Sequence, residues 1–284
     1  MDSLTLAGRP INRLGYGAMQ LEKVDRAAAT AVLHRAVELG VNHLDTASFY
    51  GDAVVNGHLR AALSPYASDL VIVSKVGARR VDAPVPLALA QRPSELRAQV
   101  QLDLDTLGLD QIAVVNLRRA DQGPGLIASG ADVVALDDQL AELVALRDAG
   151  LIGAIGLSNV SLDQIKQAFP VGIACVQNAY GLLDRTHEDE LLFCASNDIP
   201  WVPYFPLGSA FDQFPSPTEH PAVQGIAAAH ATTPAAITLA WILAHSNNTA
   251  PIPGTRTLAH LEENLSAADV VLTPEDLATL DALA

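Results

Sequence analysis

The sequence predicts an α/β fold, a closed (β/α)8 TIM barrel with an N-terminal β-hairpin plug and extra C-terminal helices, and three observations carry that expectation. Strand-like and helix-like patterns alternate eight times in the 284 residues, which suits a parallel sheet closed on itself better than an open one. Half of the residues are apolar and only 17% are charged, which excludes a disordered chain and fits strands covered on both faces. Gly40, Gly108 and Gly150 each follow a helical run, where a left-handed cap would end it.

The first element, residues 4–13, sets the turn signal Ala7-Gly8-Arg9-Pro10 between two short extended pieces, as a hairpin plugging the barrel bottom would. Strand-like runs follow at 13–18, 41–45, 70–75, 112–117, 153–157, 174–177, 199–204 and 249–252. Helical patterns lie between and after them at 25–39, 52–63, 93–107, 134–148, 161–168, 187–197, 219–244 and 258–268. Asp25, Pro93-Ser94 and Ser161 mark helix starts, and a last helix over 274–283 begins after Thr273 as its cap. No linker or low-complexity tract divides the chain, so residues 1–284 are expected to form one domain.

Composition limits the partners. The net charge of −15, from 17 Lys plus Arg against 32 Asp plus Glu, repels a nucleic acid over most of the surface. A phosphorylated cofactor would need a local basic exception. No apolar run reaches the ~18 residues that span a bilayer, and the N-terminus has no basic segment leading into an apolar stretch, so a cytoplasmic location is expected. Cys175 and Cys194 have neither a disulfide framework nor metal-ligand spacing, and the eight histidines show no paired strand-end spacing, so no metal is expected.

Barrel enzymes gather their chemistry at the C-terminal ends of the strands. Here those ends carry Asp45 and Tyr50, Lys75, Arg118, Ser158 and Asn159, Gln177, and Tyr204. Singly, each has an ordinary reading as a rim lysine, a turn acid or a packed aromatic. Together, Asp45, Tyr50 and Lys75 make a proton donor. An unperturbed phenol has a pKa of about 10 and a lysine about 10.4, so neither donates readily at neutral pH. An ammonium beside the Tyr50 hydroxyl favours phenolate and lowers its pKa, while Asp45 keeps Lys75 charged and oriented.

The segments Leu14-Gly15-Tyr16-Gly17, Asp45-Thr46 through Tyr50-Gly51, Ser74-Lys75-Val76, Gly156-Leu157-Ser158-Asn159 and Glu263-Asn264-Leu265 resemble those of the aldo-keto reductases, over essentially the whole chain. The resemblance implies reduction of small-molecule aldehydes or ketones to alcohols with NADPH (NADP+ in the reverse direction), with Tyr50 as general acid. It also implies that Ser158, Asn159 and Gln177 hold the nicotinamide carboxamide and that Tyr204 stacks on the ring. Leu207 and Gly208 would then offer backbone to the pyrophosphate. Gly254, Thr255, Arg256, His260, Glu263 and Asn264 resemble the family's adenosine-phosphate clamp, with two departures. Many relatives carry Lys where Gly254 stands and Arg where His260 stands. Arg256 is then left as the bidentate ligand of a 2′-phosphate, and the preference for NADP over NAD rests on it.

A further departure lies on the fourth strand. Most relatives read Leu-His-Arg there, whereas this chain reads Asn116-Leu117-Arg118-Arg119. Aligned on Leu117, Arg118 takes the histidine's place; a slipped register would give it to Asn116. Either side chain donates a hydrogen bond, but arginine is permanently charged and is no titrating base. This combination resembles a bacterial branch associated with pyridoxal reduction, and a guanidinium suits pyridoxal's phenolate. The alternatives are a broad-specificity aldehyde reductase and an NADPH-binding sensor subunit with little turnover. The loops 119–132 and 209–220, the latter with Phe211 and Phe214, would shape the pocket. The chain is expected to act as a monomer or weak homo-oligomer.

Overall fold

The structure, a computed structural model, describes residues 3–83, 85–123, 125–208 and 216–284; Phe211 and Phe214 lie outside the described residues. β1 (Ser3–Leu6) and β2 (Arg9–Asn12) form an antiparallel hairpin with Leu4 opposite Ile11 and Leu6 opposite Arg9. Leu6 and Ile11 are fully buried and pack with Val71, Val73, Val114, Cys175, Val202 and Ala250 from the barrel strands. The predicted plug is therefore present, filling the barrel's floor with apolar side chains.

The barrel strands run parallel: β3 (Tyr16–Gly17), β4 (His43–Asp45), β5 (Val71–Val76), then, after an inserted hairpin of β6 (Ala78–Arg80) and β7 (Leu87–Leu89), β8 (Ile112–Arg118), β9 (Ile152–Ser158) and β10 (Ile173–Gln177). Around them lie α1 (Arg26–Glu38), α2 (Val54–Leu63), α3 (Pro93–Leu107), α4 (Leu136–Asp148), α5 (Leu162–Ala168) and α6 (Glu188–Ser196). Alternation along β8 shows the two faces of the wall. Val115 and Leu117 pack outward with the helices, while Val114 joins the interior cluster.

The seventh and eighth strands are less regular than expected. They appear as single bridges, Val176 to Trp201, Ala179 to Tyr204 and Trp201 to Thr249. Pro200, Pro203, Pro251 and Pro253 remove the N–H groups that a continuous ladder needs. The remaining donors still complete the ring: Val202 donates to Val176 O at 2.8 Å, Ala250 to Trp201 O at 2.7 Å, and Gly15 to Pro251 O at 3.0 Å. That last bond joins the eighth segment to the first, so the sheet closes.

The long helix expected over 219–244 is two helices, α7 (Pro221–Ala229) and α8 (Pro234–His245), bent by 93°. Thr233 Oγ1 accepts from Ala236 N at 3.2 Å and Pro234 opens the first turn, so a new helix starts there. The extra C-terminal helices are α9 (Leu258–Leu265) and α10 (Pro274–Asp281). Trp241 Nε1 pins α10 by donating to Asp281 Oδ1 at 2.9 Å. Among the described residues, no single helix is long and apolar enough to cross a membrane.

Candidate active site

The register of β4 and β5 sets Asp45 beside Val73, so Lys75, two residues further along, faces the same interior and its amine reaches back to the carboxylate. Lys75 Nζ pairs with Asp45 Oδ1 and donates to Thr46 O at 3.1 Å; both side chains are nearly inaccessible. From the far side of the barrel, Gln177 Nε2 donates to Asp45 Oδ2 at 2.8 Å. Each carboxylate oxygen thus has its own donor.

Tyr50 reaches this pair from a tight turn. Gly51, Asp52 and Ala53 have φ of 61°, 55° and 64°, and Tyr50 N donates to Ala47 O at 3.1 Å. Phe49 stacks edge-on against the Tyr50 ring at 5.1 Å, and Lys75 Nζ lies 5.0 Å from the ring centroid, close enough for its charge to act on the hydroxyl. Burial raises the Tyr50 pKa, and this outweighs the downward pull of Lys75, so the net shift is upward. The expected net lowering is therefore not found, because a dry phenol loses more by ionising than one ammonium returns. For Lys75, burial lowers the pKa, but Asp45 and Tyr50 more than offset it, leaving the ammonium favoured.

Arg118 and Asn116 both point inward from β8, with Arg118 nearer the mouth. Its guanidinium acts electrostatically on Tyr50 and Tyr204 and lies against Gly125, where a Cβ would meet Nη2 at 2.7 Å. Gly125 has φ of 107°. Asn116 sits deeper, paired in register with Lys75. Its Oδ1 accepts from Cys175 Sγ at 3.3 Å, its Nδ2 has no partner among the described residues, and it fills the space over Gly156, whose Cβ would be 1.9 Å from Oδ1. Arg119 turns away and bonds Asp121 at 2.7 Å and Val134 O at 2.9 Å.

The other strand ends lie around the same mouth. Ser158 is buried, and Asn159, left-handed at φ 58°, donates to Arg119 O at 3.1 Å and Gln122 O at 2.7 Å. Tyr204 donates to Asn159 Oδ1 at 3.4 Å, and burial pushes its pKa up to about 12. Gln177 Oε1 is buried and without a partner among the described residues. Leu207 and Gly208 end a turn in which Gly208 N donates to Phe205 O at 3.0 Å.

The clamp-like segment forms the remaining wall. Tyr16 donates to Thr255 O, and Gln20 Nε2 donates to Gly254 O at 3.0 Å. A Cβ on Gly254 would lie 2.9 Å from Gly17 O, and one on Gly17 2.7 Å from Ile252 O, so two backbones touch there. Arg256 and His260 are exposed beside the start of α9, Glu263 is half-buried and Asn264 buried. Sequence reading did not single out Gln20, Thr46 or Gln91, which act through amides and carbonyls. Gln91 Nε2 holds Gly77 O at 2.6 Å and Arg118 O at 2.9 Å. Among the described residues no cluster of His, Cys, Asp and Glu could hold a metal ion.

Comparison with known proteins fits this geometry. The sequence signature of the Aldo/keto reductase family matches residues 13–284. Pyridoxine 4-dehydrogenase of Escherichia coli (strain K12) is 40% identical over 290 residues, covering 99% of this chain and 98% of that protein. An uncharacterized oxidoreductase of Schizosaccharomyces pombe is 35% identical, covering 95% and 86%. A thermostable aldo-keto reductase solved with the inhibitor epalrestat superposes with a TM-score of 0.81 at 28% identity, covering all of both chains. An aldo-keto reductase from Klebsiella pneumoniae in complex with NADPH superposes with 0.82 at 24% identity, covering 100% of this chain and 95% of that one.

Proposed function

The chain belongs to the aldo/keto reductase family, and from that premise we propose that it is an NADPH-dependent reductase that converts an aldehyde, pyridoxal in the first instance, to the alcohol. The observation that carries the reading is the Lys75 ammonium paired with Asp45 and set 5.0 Å from the centroid of the Tyr50 ring. The likeness to pyridoxine 4-dehydrogenase supports the choice of substrate.

The residues present fit the cofactor. Gln177 Oε1 is a buried acceptor with no partner among the described residues, as a carboxamide N–H would require, and Ser158 and Asn159 stand next to it on the mouth. Tyr204 offers a flat ring, Leu207 and Gly208 offer backbone, and Gly254, Thr255, Arg256, His260, Glu263 and Asn264 line the adenosine end. NADPH, when bound, supplies the hydride.

The chain's own groups handle the proton and the charge. Tyr50, kept neutral by burial, donates its proton to the carbonyl oxygen as negative charge develops there. Lys75 stabilises the phenolate left behind, and Asp45 with Gln177 fixes the direction of that ammonium. Arg118, at the mouth beside Tyr50 and Tyr204, donates to the carbonyl oxygen and holds pyridoxal's phenolate. NADPH-oxidation kinetics across a carbonyl panel test the reading. The expected result is a kcat/KM for pyridoxal above that for simple aromatic aldehydes. Equal values would leave a broad-specificity reductase, and no turnover with any carbonyl would contradict the assignment.

A further inference from the structure

A second carboxylate lies behind the catalytic pair, unused by the chemistry above. Asp103 on α3 is fully buried and accepts hydrogen bonds from Ser74 Oγ at 2.7 Å and from Asn56 Nδ2 at 2.8 Å, and the Ser48 hydroxyl acts on it from the Tyr50 turn. Those donors come from two places that bear on catalysis: the residue before Lys75 on β5, and the α2 helix that follows the turn carrying Tyr50. The chain of contacts continues inward. Asn56 Oδ1 accepts from Thr46 Oγ1 at 2.8 Å, and Thr46 O accepts from Lys75 Nζ at 3.1 Å.

Two donors, one on each oxygen of the carboxyl, match its ionised form, which only accepts. Lys75 is the charged group that acts on Asp103; α2 and the Tyr50 turn present the neutral Asn56 and Ser48, and α3 itself presents Thr106. Burial raises the Asp103 carboxyl to about 6 against the downward pull of Ser74, Asn56, Ser48 and Lys75, so it changes protonation state in mildly acidic solution.

We propose that Asp103 is a positioning residue for carbonyl reduction, its carboxylate tying the α2 helix, which continues the Tyr50 turn, to the strand that carries Lys75. The assignment rests on the reading of Tyr50 and Lys75 given above. Protonation turns one acceptor into a donor facing donors, loosens one of the two bonds and lets the phenol and the ammonium drift from alignment. Misplacement of about 1 Å costs up to ~100-fold in rate.

The test is the pH profile of the single-turnover rate with saturating NADPH and an aldehyde, for the wild type, Asp103→Asn, the exchange variant Asn56→Asp with Asp103→Asn, and Ser74→Ala, with Tyr50→Phe as reference. Asp103→Asn is expected to slow the step about tenfold with NADPH affinity unchanged and to remove the acid limb of the profile. The exchange, which moves the carboxylate to the other end of the same hydrogen bond, should restore at least half of the rate. Ser74→Ala removes one donor from the ionised form, so its acid limb should move to higher pH. This last variant decides the matter if Asp103→Asn does not fold. A wild-type profile in Asp103→Asn, no recovery in a folded exchange variant, or an unmoved limb in Ser74→Ala overturns the proposal. A fully active Tyr50→Phe overturns instead the underlying site reading.

Discussion

Among single residues, Arg118 is the one we propose to separate pyridoxal from generic aldehydes. Its guanidinium lies near Tyr50 and Tyr204 and is accommodated by the bare backbone of Gly125. Arg118→His should retain activity on 4-nitrobenzaldehyde but lose about ten- to a hundredfold in kcat/KM for pyridoxal, the equivalent of ~1.5–3 kcal/mol for a charge-assisted hydrogen bond. Equal losses on both substrates would mean that Arg118 only polarises the carbonyl. The residues of this site were legible in sequence because strand ends of a parallel barrel converge. The net direction of the Tyr50 shift was not, because it depends on how completely the phenol is dried, which neighbouring sequence does not state.

Among the elements, the clamp segment and the last two strands carry the clearest differences from the sequence-based expectation. The eight alternations foresaw the barrel, but the prolines at 200, 203, 251 and 253 reduce two strands to single bridges. The Thr233-Pro234 start inside 219–244 was visible as residues, yet the apolar pattern continues across it and hid the 93° bend. At the clamp, Gly254 is required by the 2.9 Å approach to Gly17 O, a contact between segments far apart in sequence. Gly254→Ala should destabilise the fold by about 1–3 kcal/mol and, if the proposed adenosine end is right, weaken NADPH binding, since this wall must shift. Urea unfolding and a fluorescence titration with NADPH measure the two effects; an unchanged midpoint with unchanged affinity would show that the wall yields freely.

On the scale of the whole molecule, the barrel holds polar groups in an interior closed below by the Leu6 and Ile11 plug. His43 is one of them, fully buried with both ring nitrogens unpartnered among the described residues, and burial lowers its pKa to about 4. The unfolded chain therefore takes up the proton before the folded one does. The stability that neutral His43 confers is fully present above pH 6.5 and is lost as pH falls from there through about 4. Comparing urea midpoints of the wild type and His43→Gln across that range should show the wild type losing up to ~3 kcal/mol more on acidification; parallel curves would place the proton uptake elsewhere. The same closed interior keeps the Asp45 and Lys75 pair dry beneath Tyr50, and the central claim is that this arrangement delivers a proton to a carbonyl. The most direct measurement is the single-turnover rate of NADPH oxidation by pyridoxal in Tyr50→Phe against the wild type, with NADPH affinity measured alongside. The account predicts a rate lower by at least ~100-fold with affinity nearly intact, and a variant that keeps more than half of the wild-type rate would contradict it.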